Sequence, residues 1–313
     1  MKSLALTLIP LSLIGCVSLQ DDASVDEQDS TATQYVDIFD FNGIDQGAWY
    51  DSMNKLNASF QQTCKDGGCG GDYLNVVPLT FRCAVTSKLG NIHDCAWTFA
   101  GSQSAVDPTS AAIALDAPTF QCHAKPATTA KKLAAFFQSS TNPLTDTLPG
   151  GGTLADGLAD CFAHPLDSTP LTIDSDPAGV YVAATDYYRS GANQTRWQQT
   201  IAALKLGFDN ICGDTFCGGD MSDLQSLDFT CAITRSTGNV KSCAWVFGGS
   251  LLEVGKGGVE AATSKTFRCN VSMHGTISQL MDDLLAPNSE DAIHRPLPGT
   301  TAIAYDALLG CLP

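Results

Sequence analysis

Two short segments of the chain combine cysteine, aspartate and glycine in the pattern C-x-D-x-x-C-G-G-D, at Cys64–Asp72 and at Cys212–Asp220. Calcium binds several oxygen ligands, which neighbouring carboxylates and freed backbone carbonyls can supply. A tight turn held between two cysteines is the favoured interpretation, because glycine and aspartate suit such turns and the EF-hand spacing is not matched. The candidate calcium ligands are Asp66, Asp72, Asp214 and Asp220.

The cysteines also show how the chain is organised. The twelve that follow Cys16 form two series, separated by four, thirteen, eleven, twenty-six and thirty-eight residues in one and by four, thirteen, eleven, twenty-five and forty-one in the other. Matching spacing of this kind indicates an internal repeat. The series are Cys64, Cys69, Cys83, Cys95, Cys122, Cys161 and Cys212, Cys217, Cys231, Cys243, Cys269, Cys311.

Six cysteines in each series predict three disulfides in each repeat, provided that the chain reaches an oxidising compartment in which disulfides form. Zinc is disfavoured, because the sequence has no C-x-x-C pair and no histidine at equivalent positions of the two repeats. The leading predicted pairs join a strand to a helix, Cys122 to Cys161 and Cys269 to Cys311. A bridge across a hairpin, from Cys83 to Cys95, is an open alternative because opposed strand residues lie within disulfide range.

Each repeat begins with a pattern typical of an amphipathic helix, in which four large apolar residues are spaced i, i+4, i+7 and i+11. A strand of strict alternation follows, with Val77, Leu79, Phe81, Cys83 and Val85 predicted to face the core. The helix residues are Trp49, Met53, Leu56, Phe60 and Trp197, Ile201, Leu204, Phe208.

A turn at Gly90-Asn91 leads to a second strand with Trp97, and a third strand ends at Cys122. Helical patterns follow around Leu133 and before Cys161. The sequence therefore predicts an α+β fold made of two tandem α-β-β-β-α-α domains, each an antiparallel sheet with helices on one face, stapled by disulfides. Short edge strands are predicted before the first helix of each repeat, at residues 35–36 and 181–182.

The first sixteen residues differ in pattern from the rest of the chain. A basic Lys2 precedes an apolar run from Leu4 to Ile14, which predicts a signal peptide. The run ends in Leu13-Ile14-Gly15-Cys16, which resembles the lipobox of bacterial lipoproteins. That resemblance implies cleavage before Cys16 and a diacylglycerol on its thiol, so that the membrane is contacted through a lipid anchor. Val17 is not the aspartate that retains many lipoproteins at the inner membrane, which favours the outer membrane.

The predicted organisation has five parts. Residues 1–15 are the signal peptide, and residues 16–34 are the lipidated cysteine and a flexible acidic tether, which has little to bury. Residues 35–162 form the first repeat domain and residues 178–313 the second. Residues 163–177 form a linker.

Composition narrows the range of functions. The net charge of −16 argues against nucleic acid as a partner. The sequence also lacks G-x-S-x-G, H-E-x-x-H, a Walker loop and G-x-G-x-x-G. The lipobox resemblance and these absences together lead us to predict an envelope-anchored lipoprotein, without a cofactor other than the calcium considered above, whose repeats bind a protein or glycan partner or serve a structural role. The alternative is an enzyme or enzyme inhibitor that uses a loop of one repeat, with His274 or His294 as the candidate residues.

Overall fold

The computed structural model describes residues 34–64, 67–73, 75–173, 178–216, 221, 223–287 and 291–313, without the side chains of residues 213–215. The residues fall into two regions of similar content, called here the first half (residues 35–162) and the second half (residues 178–313). Both belong to the same unit of the fold. None of the helices in the described residues combines the length and apolarity needed to span a bilayer.

The first half is a four-stranded antiparallel sheet of order β1-β2-β3-β6, with a separate hairpin formed by β4 and β5. The predicted edge strand is present as β1. The elements are β1 (Tyr35–Asp37), α1 (Gln46–Thr63), β2 (Val77–Thr86), β3 (Ile92–Ala100), β4 (Gln103–Val106), β5 (Ile113–Asp116), β6 (Thr119–Ala124), α2 (Ala130–Ser139) and α3 (Leu158–Phe162).

The second half has a four-stranded antiparallel sheet of order β12-β9-β8-β7 and its own hairpin, formed by β10 and β11. The elements are β7 (Tyr181–Ala183), α4 (Ala184–Tyr187), α5 (Ala192–Thr215), β8 (Gln225–Thr234), β9 (Val240–Leu251), β10 (Val254–Gly255), β11 (Gly258–Val259), β12 (Thr263–Val271), α6 (Ile277–Leu284) and α7 (Ala304–Leu309).

The predicted apolar helix face packs on the sheet in both halves. Helix α1 begins where the Asp45 side chain accepts a hydrogen bond from the backbone N–H of Ala48 at 2.8 Å, which satisfies a donor of the first turn. The ring centroids of Phe60 on this helix and Trp97 on β3 lie 5.5 Å apart, and those of Phe208 on α5 and Trp245 on β9 lie 6.3 Å apart. All four side chains are buried. Burial of each contributes about 1.5–3 kcal/mol, so these contacts stabilise the helix-on-sheet layers.

Five disulfides lie in the described residues, and each joins two cysteines of the same half. The predicted strand-to-helix pairs, Cys122–Cys161 and Cys269–Cys311, are present. The bridge across the hairpin is present in both halves, because the paired cysteines occupy directly opposed positions of the sheet register. Cys212 is disulfide-bonded as well, and Cys217 lies outside the described residues. The remaining bridges are Cys64–Cys69, Cys83–Cys95 and Cys231–Cys243.

The structure corrects the predicted orientation of the first strand. Phe81, Cys83 and Val85 face the helices, but Val77 and Leu79 belong to a separate apolar cluster. The register between β2 and β3 shifts between Pro78 and Phe81. Such an irregularity turns the residues before it to the opposite face of the sheet, and strict alternation cannot reveal it.

Candidate functional site: a cleft between the two halves

The face of each sheet that carries no helix is covered by the other half of the chain. Val77, Leu79 and Ala100 of the first half pack with Leu227 of the second. The two sheets approach each other closely at Gly248 on β9, where an added Cβ would lie 2.6 Å from the Cβ of Ala100. The two sheets therefore pack directly against each other, and a glycine at this position permits the contact.

The two hairpins that the sequence did not predict extend this packing in both directions. Hairpin β4–β5 of the first half places Val106 and Ile113 on Ala232 and Ala244 of the second sheet. Hairpin β10–β11 of the second half contacts β1, β2 and β3 of the first sheet. Each half thus contributes a hairpin that covers the sheet of the other.

Polar side chains between the sheets are hydrogen-bonded to one another. The carboxylate Oδ2 of Asp223 accepts hydrogen bonds from the hydroxyls of Thr80 and Ser250, both at 2.6 Å. The Ser250 Oγ lies 2.7 Å from the Oγ1 of Thr98, which is fully buried. Because a buried polar group is costly unless it is paired, this network depends on both halves being in place.

A second carboxylate, Asp228 on β8, accepts a hydrogen bond from the Ser104 hydroxyl of β4 at 2.8 Å. Its burial raises the pKa of the carboxyl above the ordinary 3.8, and the hydrogen bonds from Ser104 and from the backbone N–H of Phe229 lower it only in part. The folded protein therefore binds a proton at pH values at which the unfolded chain has lost it.

The variant Asp228→Asn is expected to flatten the dependence of stability on pH. For a carboxyl whose pKa is raised by folding, the stabilising contribution is complete below pH 3.8 and is lost as the pH rises through the raised folded pKa. The neutral amide does not ionise, so the variant should gain stability over the parent as the pH rises towards neutrality. Urea unfolding of both proteins between acidic and neutral pH measures the difference in their free energies of unfolding. The variant Asp51→Asn, at an exposed position, is the matched control. A difference from the parent that is constant with pH would contradict the assignment.

A cleft opens where hairpin β4–β5 meets β7 and α4. Its volume is about 410 Å³, and it adjoins a second cavity of about 520 Å³. Val106 and Pro108 form the wall from the first half, and Tyr181 forms part of the wall from the second. The backbone N–H of Tyr181 donates to the carbonyl of Pro108 at 3.1 Å, which fixes the two walls relative to each other.

Two arginines of the second half line both cavities. The Nε of Arg189 donates to the backbone carbonyl of Asp186 at 3.2 Å and lies 3.9 Å from its carboxylate. The Nε of Arg235 donates to the carbonyl of Gly179 at 3.0 Å. These backbone contacts position both guanidinium groups at the cleft. In the first half, Ser87 occupies the position that corresponds to Arg235, so the positive charge belongs to one half.

The calcium hypothesis concerns loops that the structure describes in part. Asp66 and Asp220 lie outside the described residues, as does Cys16, and the side chain of Asp214 is not described. Asp72 is exposed, and its backbone carbonyl accepts a hydrogen bond from the Gln103 amide at 2.5 Å. Within the described ranges no three His, Cys, Asp or Glu side chains gather as a metal site would require. Calcium binding stays a prediction.

The histidines named for an enzymatic site lie apart from the cleft. His274 is exposed, and the ring of His294 packs on Tyr305 at 5.2 Å between centroids. A histidine–carboxylate pair occurs elsewhere, where the Nδ1 of His123 lies 2.7 Å from the Oδ2 of Asp94. In the part of the chain that the structure describes, no hydroxyl or thiol is hydrogen-bonded to His123.

Sequence reasoning missed the residues that form the cleft and the junction between the halves. Asp228 gave the clearest available signal, because it lies between Leu227 and Phe229 and is the one charged residue of strand β8. Arg189 and Arg235 are far apart in sequence and belong to no motif, so their proximity depends on the fold. Comparisons with protein-family models, with curated proteins and with solved structures yield no match.

Proposed function

We propose that the chain is a lipid-anchored binding protein of the bacterial envelope, built from two tandem copies of one disulfide-stapled domain. The lipobox-like sequence before Cys16 supports the anchor. The two copies are supported by the matched cysteine series, by disulfides at equivalent positions and by two sheets of equivalent strand order. The acidic residues 17–34 serve as a tether between the lipid and the folded part.

The cleft between the halves is the observation that carries this proposal. Its volume of about 410 Å³ falls in the range of ligand pockets. Its walls come from both halves, so a ligand there requires the duplicated chain as a whole. This arrangement favours one shared site per chain over two independent sites, one on each copy.

The ligand class follows from the lining of the cleft. Two guanidinium groups and the carboxylate of Asp186 line it, so the lining carries a net positive charge in a chain of net charge −16. Arginine pairs well with carboxylates, because its planar fork can donate two parallel hydrogen bonds. Val106, Pro108 and Tyr181 supply apolar surface beside these charges. We therefore propose a partner that presents a carboxylate, either on a uronic-acid glycan or on an acidic peptide.

The variant Arg189→Ala is expected to weaken binding of such a carboxylate by about tenfold or more, since a hydrogen bond to a charged group contributes about 1.5–3 kcal/mol. Calorimetry on the mature protein would use two probes, an oligogalacturonate and a glutamate-rich peptide, each with a neutral counterpart. The probe that binds identifies the source of the carboxylate. The variant Lys132→Ala, on the exposed face of α2, is the control for the same change in charge.

Two results would overturn the proposal. One is the absence of saturable binding with both acidic probes. The other is an equal loss of affinity in Arg189→Ala and Lys132→Ala, because that would assign the binding to general charge and not to the cleft. Because the Arg189 side chain is exposed, its replacement should leave folding intact, so a selective loss of affinity would be due to the missing guanidinium group. A thermal unfolding curve of the variant checks its folding directly.

A further inference from the structure

We infer that the two halves form a self-sufficient noncovalent complex, in which each half is the binding partner of the other and the peptide that connects them is dispensable. The inference concerns the interface between the sheets and does not depend on the ligand proposed for the cleft.

The hairpins give the interface the reciprocity of a twofold dimer. Hairpin β4–β5 covers the second sheet, and hairpin β10–β11 covers the first. In symmetric dimers the same surface of each subunit contacts its counterpart, and this is the pattern that two copies of one domain produce when they associate. Each half therefore presents a surface that fits the other half specifically and that would not bind just any apolar surface.

Buried polar contacts add specificity to this packing. Asp223 of the second half accepts a hydrogen bond from Thr80 of the first, and Thr98 lies against Ser250. At the edge, the Gln121 side chain of β6 donates to the carbonyl of Glu260 at 3.2 Å and accepts from the N–H of Ala262 at 2.9 Å. Separation of the halves would leave these groups without their partners, which opposes dissociation.

Among the described residues no disulfide joins the two halves, so the interface would hold them together once the connecting peptide is cut. Each of the five described disulfides lies within one half. The connecting residues nearest the first half are hydrogen-bonded to it. The backbone N–H of Leu166 donates to the backbone carbonyl of Thr119, and the backbone N–H of Thr169 donates to the carboxylate of Asp116. A cut between Ile173 and Ala178 would therefore remove the one peptide connection without disturbing these contacts.

The test is to insert the recognition sequence of a site-specific protease between Ile173 and Ala178 of the full chain and to cleave it completely. Electrophoresis under denaturing, non-reducing conditions should then show two fragments. Gel filtration at about micromolar concentration should show one species with the mass of the uncut protein. Two separate peaks of half-sized fragments would overturn the inference, and no mutation of the interface is needed to reach that result.

A pair of glycine variants identifies the surface responsible. Gly248→Leu inserts a side chain where even a Cβ would lie 2.6 Å from Ala100, so the cut protein should separate into two peaks. Gly257→Leu is the matched control, because nothing lies within 4 Å of its added Cβ, and the cut protein should remain one species. Cut Gly248→Leu that stays associated as firmly as the control would place the interface elsewhere and overturn the assignment.

Discussion

Replacing Cys16 with serine is expected to abolish lipid attachment. A serine hydroxyl does not replace the thiol that receives the diacylglycerol in the bacterial lipoproteins whose lipobox this sequence resembles. Each buried methylene of an acyl chain contributes about 0.8 kcal/mol to membrane binding, so two chains on one residue anchor the protein stably and their loss removes that anchor entirely. Incorporation of radiolabelled palmitate in a bacterial host should therefore fall from clear labelling to background.

The mass of the N-terminal peptide is the second measurement. The parent protein should begin at residue 16 and carry the mass of the lipid, whereas Cys16→Ser should carry none. Val17→Ala is the matched control, because it leaves both the thiol and the residues before the cleavage site unchanged. A parent protein that begins at another residue, or that carries no lipid, would contradict the lipobox, and the envelope anchor would have to be abandoned.

The elements that the sequence predicted best are those whose pattern occurs twice. The spacing from Trp49 to Phe60 and that from Trp197 to Phe208 both became helices, α1 and α5, that pack on a sheet. The turn at Gly90-Asn91 predicted the hairpin of β2 and β3, and the bridge across it that the sequence left open, Cys83–Cys95, is present. Local periodicity dictates these features, so a single chain carries enough information to predict them.

The relation between the halves was not predictable in this way. The strands of hairpin β10–β11 have two residues each, Val254–Gly255 and Gly258–Val259, which is too short for any alternation to be recognised. Ala232 and Ala244 are fully buried, but alanine is common on both surfaces and cores, so these residues gave no sign of a covered face. The cleft forms from the same contacts, and its arginines could therefore not be brought together by sequence reasoning.

Removing the bridge between Cys122 and Cys161 is expected to lower the free energy of unfolding by about 4 kcal/mol. The bridge closes the longest loop of the three in the first half, 39 residues, and a bridge acts chiefly by restricting the unfolded chain. The matched variant lacks the bridge between Cys64 and Cys69, which are five residues apart, and should lose only about 2 kcal/mol. Alanine at both positions of each pair avoids free thiols.

Urea unfolding of the two double variants measures both losses on the same protein. The order of the two values decides the argument, because uncertainty in the entropy model shifts both in the same direction. Cys122 is buried on β6 and Cys161 lies on α3, so this bridge also holds a helix on the sheet. A larger loss from the Cys64–Cys69 variant would therefore exclude loop closure as the main effect. It would assign the greater share of stability to the loop between those cysteines, where the calcium hypothesis also lies.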